Sequence, residues 1–271
     1  MPEGRMSETV RVIHSPSVYV VGRQSVNQGE VDRFLADHGV SWASDSSVAA
    51  EVLTETAGRV CYMSFARPRP GGNAAYLGHI KESGHGSVLE HAVWNLLITG
   101  VSRSLTHELV RHRAGMGYSQ LSQRYVDESV AEYVEPGVIA ADPELHAIWL
   151  ETVAQAHAGY LKLAEALAKK IAADPASAEL PATDRRKAAR QAARSVLPNA
   201  TETKIFVTAN GRALRHFMEM RGSRHAEPEI RLLANEVCRV MQREAPNLFG
   251  DYRLEPLPDG TCEVMTDFRK V

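Results

Sequence analysis

The side chains with the greatest capacity for chemistry fall in one short stretch. Arg111-His112-Arg113 is followed by Ser119-Gln120-Leu121-Ser122-Gln123-Arg124, so three guanidinium groups, an imidazole, two hydroxyls and two carboxamides occupy fourteen positions with no acidic residue among them. A guanidinium is a planar fork of donors that matches phosphate and carboxylate, and it stays charged at any working pH. Beside the run Gly115-Met116-Gly117, such a density of donors is what a nucleotide phosphate site needs. An Arg-His-Arg alone would equally suit the basic end of a solvated helix, where it complements the dipole. The serine-amide-arginine continuation favours a ligand.

Two further polar clusters stand out. Gly84-His85-Gly86-Ser87-Val88-Leu89-Glu90-His91 precedes an apolar run, where a turn would present donors beside a sheet. Arg194, Asn210-Gly211-Arg212, His216, Arg221 and His225 form a second donor-rich set; on a helix Arg212 and His216 share a row, and Arg221 and His225 are four apart. Together with the first motif they describe a broad cationic pocket with several anion-binding points, wide enough for more than one phosphorylated ligand. Other chemistries lack their signatures. There is no Walker phosphate loop, no Gly-x-Gly-x-x-Gly after a strand and no Gly-x-Ser-x-Gly elbow. His79, His85 and His91 are six apart and His107 and His112 five apart, off metal-site spacing, so no metal is expected. Cys61 reads as a small buried hydrophobe rather than a nucleophile.

Composition limits what this pocket belongs to. The 271 residues can bury a substantial core. Thirty-one basic against thirty-three acidic residues give a formal charge of -2, without the basic excess of a non-specific nucleic-acid binder. The positive charge is local, which suits a small anionic ligand and not a nucleic-acid polymer. Three scattered cysteines (Cys61, Cys238, Cys262) make neither a disulfide framework nor a zinc knuckle. No apolar run approaches a membrane span and no signal-peptide core opens the chain. A cytoplasmic protein that does not engage membranes is expected.

The elements that must position these residues follow from periodicity. Ser17 to Val21 reads as a strand, Val48 to Val60 and Ala74 to Glu82 as helices, with a loop at Pro68 to Gly72 between them and Gly84 closing the second. Ala92 to Thr99 is a buried strand, and Ser102 to Arg113 a helix that would place Arg103, His107 and Arg111 on one face. Asp142-Pro143 opens the longest helix, whose apolar stripe from Leu145 to Ile171 suits core or subunit interface. A linker from Asp174 to Pro181, a basic helix from Asp184 to Arg194, a strand from Thr201 to Thr208, and helices over Arg212–Met220 and Pro228–Ala245 complete the chain. The expectation is a single α+β domain over residues 1–271, a small antiparallel-type sheet flanked by several helices, with 1–15 and 259–271 loosely ordered.

The motifs GHGSVLEH, SRSLTHELVRHR, YSQLSQRY, RQAARSVLPNATET and RALRHFMEMR, ordered between about Gly58 and Asp251, resemble those of the flavin-dependent thymidylate synthases. The resemblance implies a homotetramer with FAD at subunit interfaces. It also implies methylation of uracil C5 in dUMP, with methylenetetrahydrofolate as carbon donor and NADPH as reductant. Carried onto this sequence, it implies flavin contacts at Ser87, Glu90, Arg111, His112, Arg113, Asn210, Arg212, His216 and His225. Nucleotide contacts would be Arg103, Glu108, Gln120, Ser122, Gln123, Arg124, Arg194 and Arg221, with Arg221 and His85 catalytic. Arg221 would hydrogen-bond the pyrimidine and stabilise charge developing on its ring. No cysteine attacks the uracil in this family, and Ser122 becomes a phosphate- or base-binding hydroxyl.

One departure marks this chain. The family pattern places a serine three residues after Arg-His-Arg and the Ser-x-Arg arginine ten beyond the second arginine. Here Met116 takes the serine's place and eleven steps separate Arg113 from Arg124. One residue is inserted within Ala114 to Gly117, and two glycines should loosen that loop. A loosened loop would reject a 2′-hydroxyl poorly, so methylation of UMP as well as dUMP is expected. The resemblance also implies an alternative, a UMP C5 methylase of a biosynthetic pathway, as a relative within this family is. From another class, an RNA-binding protein could use the arginine clusters, but only Tyr118 and Tyr125 offer stacking surfaces in the first motif.

Overall fold

Short β-branched runs and longer helical periodicities alternate along the chain, and the elements follow them. The computed structural model describes residues 10–66, 70–177 and 179–271. In chain order these carry β1 (Arg11–Ile13), β2 (Ser17–Arg23), α1 (Gln28–Asp37), α2 (Ala49–Val60), α3 (Gly72–Glu82), β3 (Val93–Ser102), α4 (Arg103–Leu109), β4 (Met116–Gln120), β5 (Glu132–Val134), α5 (Gly137–Ala140), α6 (Pro143–Ala173), α7 (Ala182–Ala193), β6 (Glu202–Asn210), α8 (Gly211–Arg221), α9 (Pro228–Glu244), α10 (Pro246–Phe249), β7 (Arg253–Pro256) and β8 (Cys262–Met265). No helix among the described residues is long and apolar enough to cross a membrane.

The principal sheet has the order β2-β3-β6-β4. Its strands run antiparallel: Arg103 N–H donates to Thr201 O and Gly211 N–H to Ala92 O, at opposite ends of β3 and β6. Leu121 N–H to Lys204 O and Asn210 N–H to Gly115 O do the same for β4 and β6. Alternation buries Trp94, Leu96 and Ile98 on β3 and Ile205, Val207 and Ala209 on β6, as expected of a sheet with one packed face. The fold is α+β with a small antiparallel sheet. A parallel pair, β1 with β5, and an antiparallel pair, β7 with β8, stand apart from it.

Two compact units divide the chain, and β3 and β6 change unit along their length. The first takes the described residues up to Ser15, Thr99–His107 and Gln120–Ile205. Its α6 starts as its sequence dictates: Asp142 accepts hydrogen bonds from Glu144 and Leu145 N–H, with Pro143 in the first turn. The helix packs along α7, yet buries only Val153 and Tyr160 of its stripe and leaves Leu145, Ile148 and Leu163 exposed. Packing within this chain covers part of the stripe and leaves these three side chains to solvent.

The second unit takes Pro16–Ile98, Glu108–Ser119 and Phe206–Val271. On α9, Ile230, Leu233, Ala234, Val237, Cys238 and Met241 form one buried stripe. Beneath it lies an ionic cluster. Arg215, fully buried, donates to both oxygens of Asp251 at 2.8 Å, Lys81 Nζ donates to Oδ1 at 2.8 Å, and Thr266 Oγ1 donates to Oδ2. Burial alone would raise the Asp251 carboxyl. The hydrogen bonds and charge of Arg215, then Lys81 and Thr266, more than offset that and hold it well below the usual carboxylate range.

Several expectations need correction. Helix α4 stops at Leu109 rather than Arg113, because Arg111 and His112 N–H bond three residues back, to Glu108 and Leu109, in a turn. Arg103, His107 and Arg111 therefore do not share a helical face. The glycine segment is not a loose loop: Gly117 lies inside β4, and Gly115 takes a fixed left-handed φ of 70°. Residues 11–13 form β1. The segment 259–271 carries β8, and Asn235 exchanges two 2.7 Å hydrogen bonds with the Cys262 backbone. Cys61 is exposed, while Cys238 is buried. Pro68 and residues 1–9 lie outside the described residues.

Removing the Asp251 carboxylate would strand two buried cations. Asp251→Ala should destabilise the fold by roughly 3–5 kcal/mol in urea denaturation. Because the folded pKa is depressed, its contribution is complete above the unfolded value of about 4 and drains only as pH falls below that. A loss under 1 kcal/mol at neutral pH would contradict this account.

Candidate active site

In the first unit, Ser102 Oγ accepts from Leu105 N–H at 3.0 Å and opens α4, which sets Arg103 at the helix start. Arg103 Nη2 donates to Leu121 O at 2.9 Å, so one arginine fixes the backbone that carries the next four candidate residues. Gln120 Nε2 donates to Thr106 Oγ1 at 3.1 Å and Thr203 Oγ1 at 3.3 Å, and Ser122 Oγ accepts from Arg124 N–H. Burial lowers the pKa of Arg103; the charge of Glu128 opposes that, and nearby Arg194 adds to it. Arg103, Gln120, Ser122, Gln123, Arg124 and Arg194 all lie in this unit.

Three donors there are unspent. Arg103 Nε, Gln123 Nε2 and Arg124 Nε are buried without a hydrogen-bond partner among the described residues. A buried donor left unpaired costs about 1–3 kcal/mol. Two guanidinium donors and one amide donor in this state suit an acceptor-rich anion.

The second unit holds the other half of the expected set. Arg221, at the end of α8, donates from Nη1 to Glu108 Oε2 at 2.5 Å and from Nε to His112 Nε2 at 2.9 Å. A ring nitrogen that accepts from a guanidinium must be unprotonated. Burial, then the charges of Arg221 and His216, push the His112 pKa down to about 4 against the opposing charge of Glu108. Glu227, at the start of α9, contacts Glu108; desolvation first, then that contact and the charge of Glu229, hold its carboxyl well above the usual range.

Three cavities lie in this unit, and the clamp lines the first of them. Arg111, His112, Arg113, His216 and Arg221 line one of about 400 Å³. Glu90, Gly115, Asn210, Arg212 and His216 line a second of about 340 Å³. His85, Ser87 and Arg212 line a third of about 310 Å³. Shared walls at His216 and Arg212 link them, and the donor set suits an extended ligand that carries phosphates. Glu90 is paired with Arg212 at 2.7 Å, and Asn210 Oδ1 caps α8 by accepting from Ala213 N–H at 2.8 Å. His225 is the exception. It is exposed in the turn between α8 and α9 and lines none of the three.

Sequence spacing did not reveal what pins the Arg-His-Arg turn. Tyr118 Oη lies 2.7 Å from His112 O and 3.0 Å from Leu109 O, and burial, with the charge of Arg113 opposing, pushes its phenol up to about 12. Glu227 and Glu128 were also missed. A carboxylate two or four positions from a motif carries no signal until its long-range partner is known. Among the described residues no group of three or more His, Cys, Asp or Glu could hold a metal ion.

An α+β chain with a guanidinium clamp, three linked donor-lined cavities and unspent buried arginines defines a protein built around anionic, nucleotide-like ligands. The profile of the thymidylate synthase complementing protein family matches residues 45–247. The chain is 51% identical over 235 residues to a flavin-dependent thymidylate synthase of Mycolicibacterium gilvum, covering 86% of this chain and 91% of the relative. It is 46% identical over 241 residues to one of Corynebacterium efficiens, covering 87% and 94%. The chain belongs to the thymidylate synthase complementing protein family.

Gly115 offers a direct test of the turn. A Cβ there would sit 2.5 Å from Asn210 Nδ2, on a backbone that costs a non-glycine residue about 1–2 kcal/mol. Gly115→Ala should lower stability by about that amount, read by thermal denaturation, and loosen the Asn210 cap. Gly117→Ala should cost less, since Gly117 has no left-handed φ and an added Cβ would meet only Thr208 Cβ at 3.9 Å.

Proposed function

We propose that this chain is a flavin-dependent thymidylate synthase, a methyltransferase that converts dUMP to dTMP by reductive methylation of uracil C5. We further propose FAD as the flavin, methylenetetrahydrofolate as carbon donor, NADPH as reductant, and a cytoplasmic homotetramer as the working form. Roughly half-identity to relatives so named, over most of the chain, supports the reaction. The observation that carries the site is the Arg221 clamp.

Bound flavin would supply the reducing equivalents of the reaction. Arg111, Arg113 and Arg212, with Ser87, Asn210 and His216, would hold it in the linked cavities. The remaining steps belong to side chains. Arg221 spends Nε and Nη1 on His112 and Glu108, which leaves Nη2 to face a uracil carbonyl. A fixed positive donor at that oxygen lowers the cost of charge spreading onto the ring as C5 becomes nucleophilic. His112, being neutral, orients the guanidinium without repelling it. Arg124 and Arg194, with Ser122 and Gln123, would bind the phosphate end, and Arg103 would belong to the same nucleotide-binding set. His85 would act beside the flavin-binding set. The exposed stripe of α6 supports assembly into an oligomer.

The expectation of UMP turnover beside dUMP drew on a loosened loop, and Gly117 inside β4 speaks against that looseness. The RNA-binding reading gains no observation of its own.

Purified protein should carry or take up a flavin and turn over dUMP in its presence. Arg221→Ala should lower kcat by about a hundredfold or more while flavin stays bound, since such a donor is worth roughly 3 kcal/mol. Arg124→Ala should instead raise KM for dUMP about tenfold or more, because phosphate capture acts in ground and transition states alike. Near-normal turnover in the first, or an unchanged KM in the second, would reverse these roles. Absence of flavin binding and of dUMP turnover in the unaltered protein would remove the reading itself.

A further inference from the structure

Glu128 takes no part in the site as described so far. It lies in a short turn after β4 and is 5% exposed. Its Oε1 is buried without a hydrogen-bond partner among the described residues. Burial pushes its carboxyl above the ordinary range; the Arg103 guanidinium opposes that, and the charge of Glu202 adds to it. Lys204 and Asp127 are the other charges that reach it, and Lys204 is already paired with Glu202 at 3.1 Å.

Arg103, at the start of α4, feels the charge of Glu128. Glu128 is its strongest charged neighbour, yet Arg103 Nε is buried and unpaired while Nη2 is spent on Leu121 O. One cluster therefore offers a charged donor and a charged acceptor that feel each other but leave Nε and Oε1 unpartnered. A phosphate would satisfy the arginine and be repelled by the carboxylate. An apolar group would satisfy neither. A hydroxyl can do both at once, because it accepts on its lone pairs and donates its proton. dUMP has a single hydroxyl, on the sugar at C3′.

We propose that Glu128 is a substrate-binding, specificity-determining residue that accepts a hydrogen bond from the nucleotide 3′-hydroxyl while Arg103 Nε donates to the same oxygen. This rests on the reading of the chain as a dUMP-methylating enzyme. It divides the first unit's polar set in two. The arginines beyond Arg103 meet the phosphate, and the Arg103–Glu128 pair measures the sugar.

The test compares dUMP with 2′,3′-dideoxyuridine 5′-monophosphate on the flavin-loaded protein, with affinity read from the change in flavin absorbance. Loss of a hydrogen bond to a charged group should cost the unaltered protein about ten- to a hundredfold in affinity. In Glu128→Gln, dUMP should bind nearly as weakly as the dideoxynucleotide, with a ratio below about threefold. Glu128→Asp, which withdraws the charge by one methylene, should fall between. A Glu128 that merely supports the fold would weaken both nucleotides in parallel and leave the ratio intact, and that result overturns the assignment. So does an unaltered protein that binds both nucleotides equally, a measurement that needs no variant. If the unaltered protein binds and methylates dUMP but shows no preference for the hydroxyl, the Glu128 contact alone fails. If it binds neither nucleotide, the reading beneath it fails first.

Discussion

A guanidinium held between a carboxylate and an uncharged imidazole is the constraint on which the second unit turns. Arg221 can accept His112 as a partner only while that ring is unprotonated; a charged ring would put two cations in contact. Neutrality requires burial, and burial requires the turn after α4 to fold His112 inward against Phe217 and His216, whose rings meet it edge-on at 5.5 and 5.8 Å. That turn in turn needs α4 to stop at Leu109, Tyr118 to occupy the Leu109 and His112 carbonyls, and a glycine where φ becomes positive. Each step is local chemistry, but none has a reason to exist without the next. The Arg-His-Arg motif is thus less a set of three ligand contacts than a fold-back that carries one.

The first unit stores its function differently. Five of its side chains, Arg103, Gln123, Arg124, Glu128 and Glu135, each bury one polar atom without a hydrogen-bond partner among the described residues. Evolution of stability alone would remove such atoms, since each is costly and an apolar replacement would not be. Real proteins violate hydrogen-bond accounting where a ligand completes it. The cost is offset elsewhere in the chain, where Arg215, Lys81 and Thr266 saturate Asp251.

Much of this was legible in the residues and some was not. Asp142-Pro143 announced α6 through a capping oxygen and a missing N–H, both local features. The strands β3 and β6 were visible in their β-branched and aromatic runs. Helix α1 escaped because its sequence, Gln28 to Asp37, is mostly polar and buries only Leu35. Strand β4 was hidden by its glycines: Gly115-Met116-Gly117 reads as flexible until the β6 partner and the Asn210 side chain are known. Strands β1, β5, β7 and β8 are three or four residues long and exist only through pairing. Spacing grouped the polar motifs, yet it could not tell that α4 ends early or that His225 lines none of the cavities its neighbours line.

The same limit explains why arginines look alike in sequence and differ in the fold. Arg59 spends all three nitrogens on Glu55 and the Ser64 carbonyl. Arg231 likewise spends its three on Thr261, two backbone carbonyls and Asp259. These two are mortar, and their charge is fully cancelled or solvated by protein. Arg103, Arg124 and Arg221 keep a nitrogen in reserve beside buried or half-buried neighbours. A guanidinium with every donor satisfied has nothing left with which to bind, whatever motif surrounds it. One with a donor unspent in a desolvated site is poised to bind an acceptor more strongly than the same group could in water. An unspent donor does not by itself mark a binding arginine, since Arg215, locked onto Asp251, also buries Nε without a partner among the described residues. Arg103 and Arg124 differ in that their unit also holds the unpartnered Gln123 Nε2 and Glu128 Oε1.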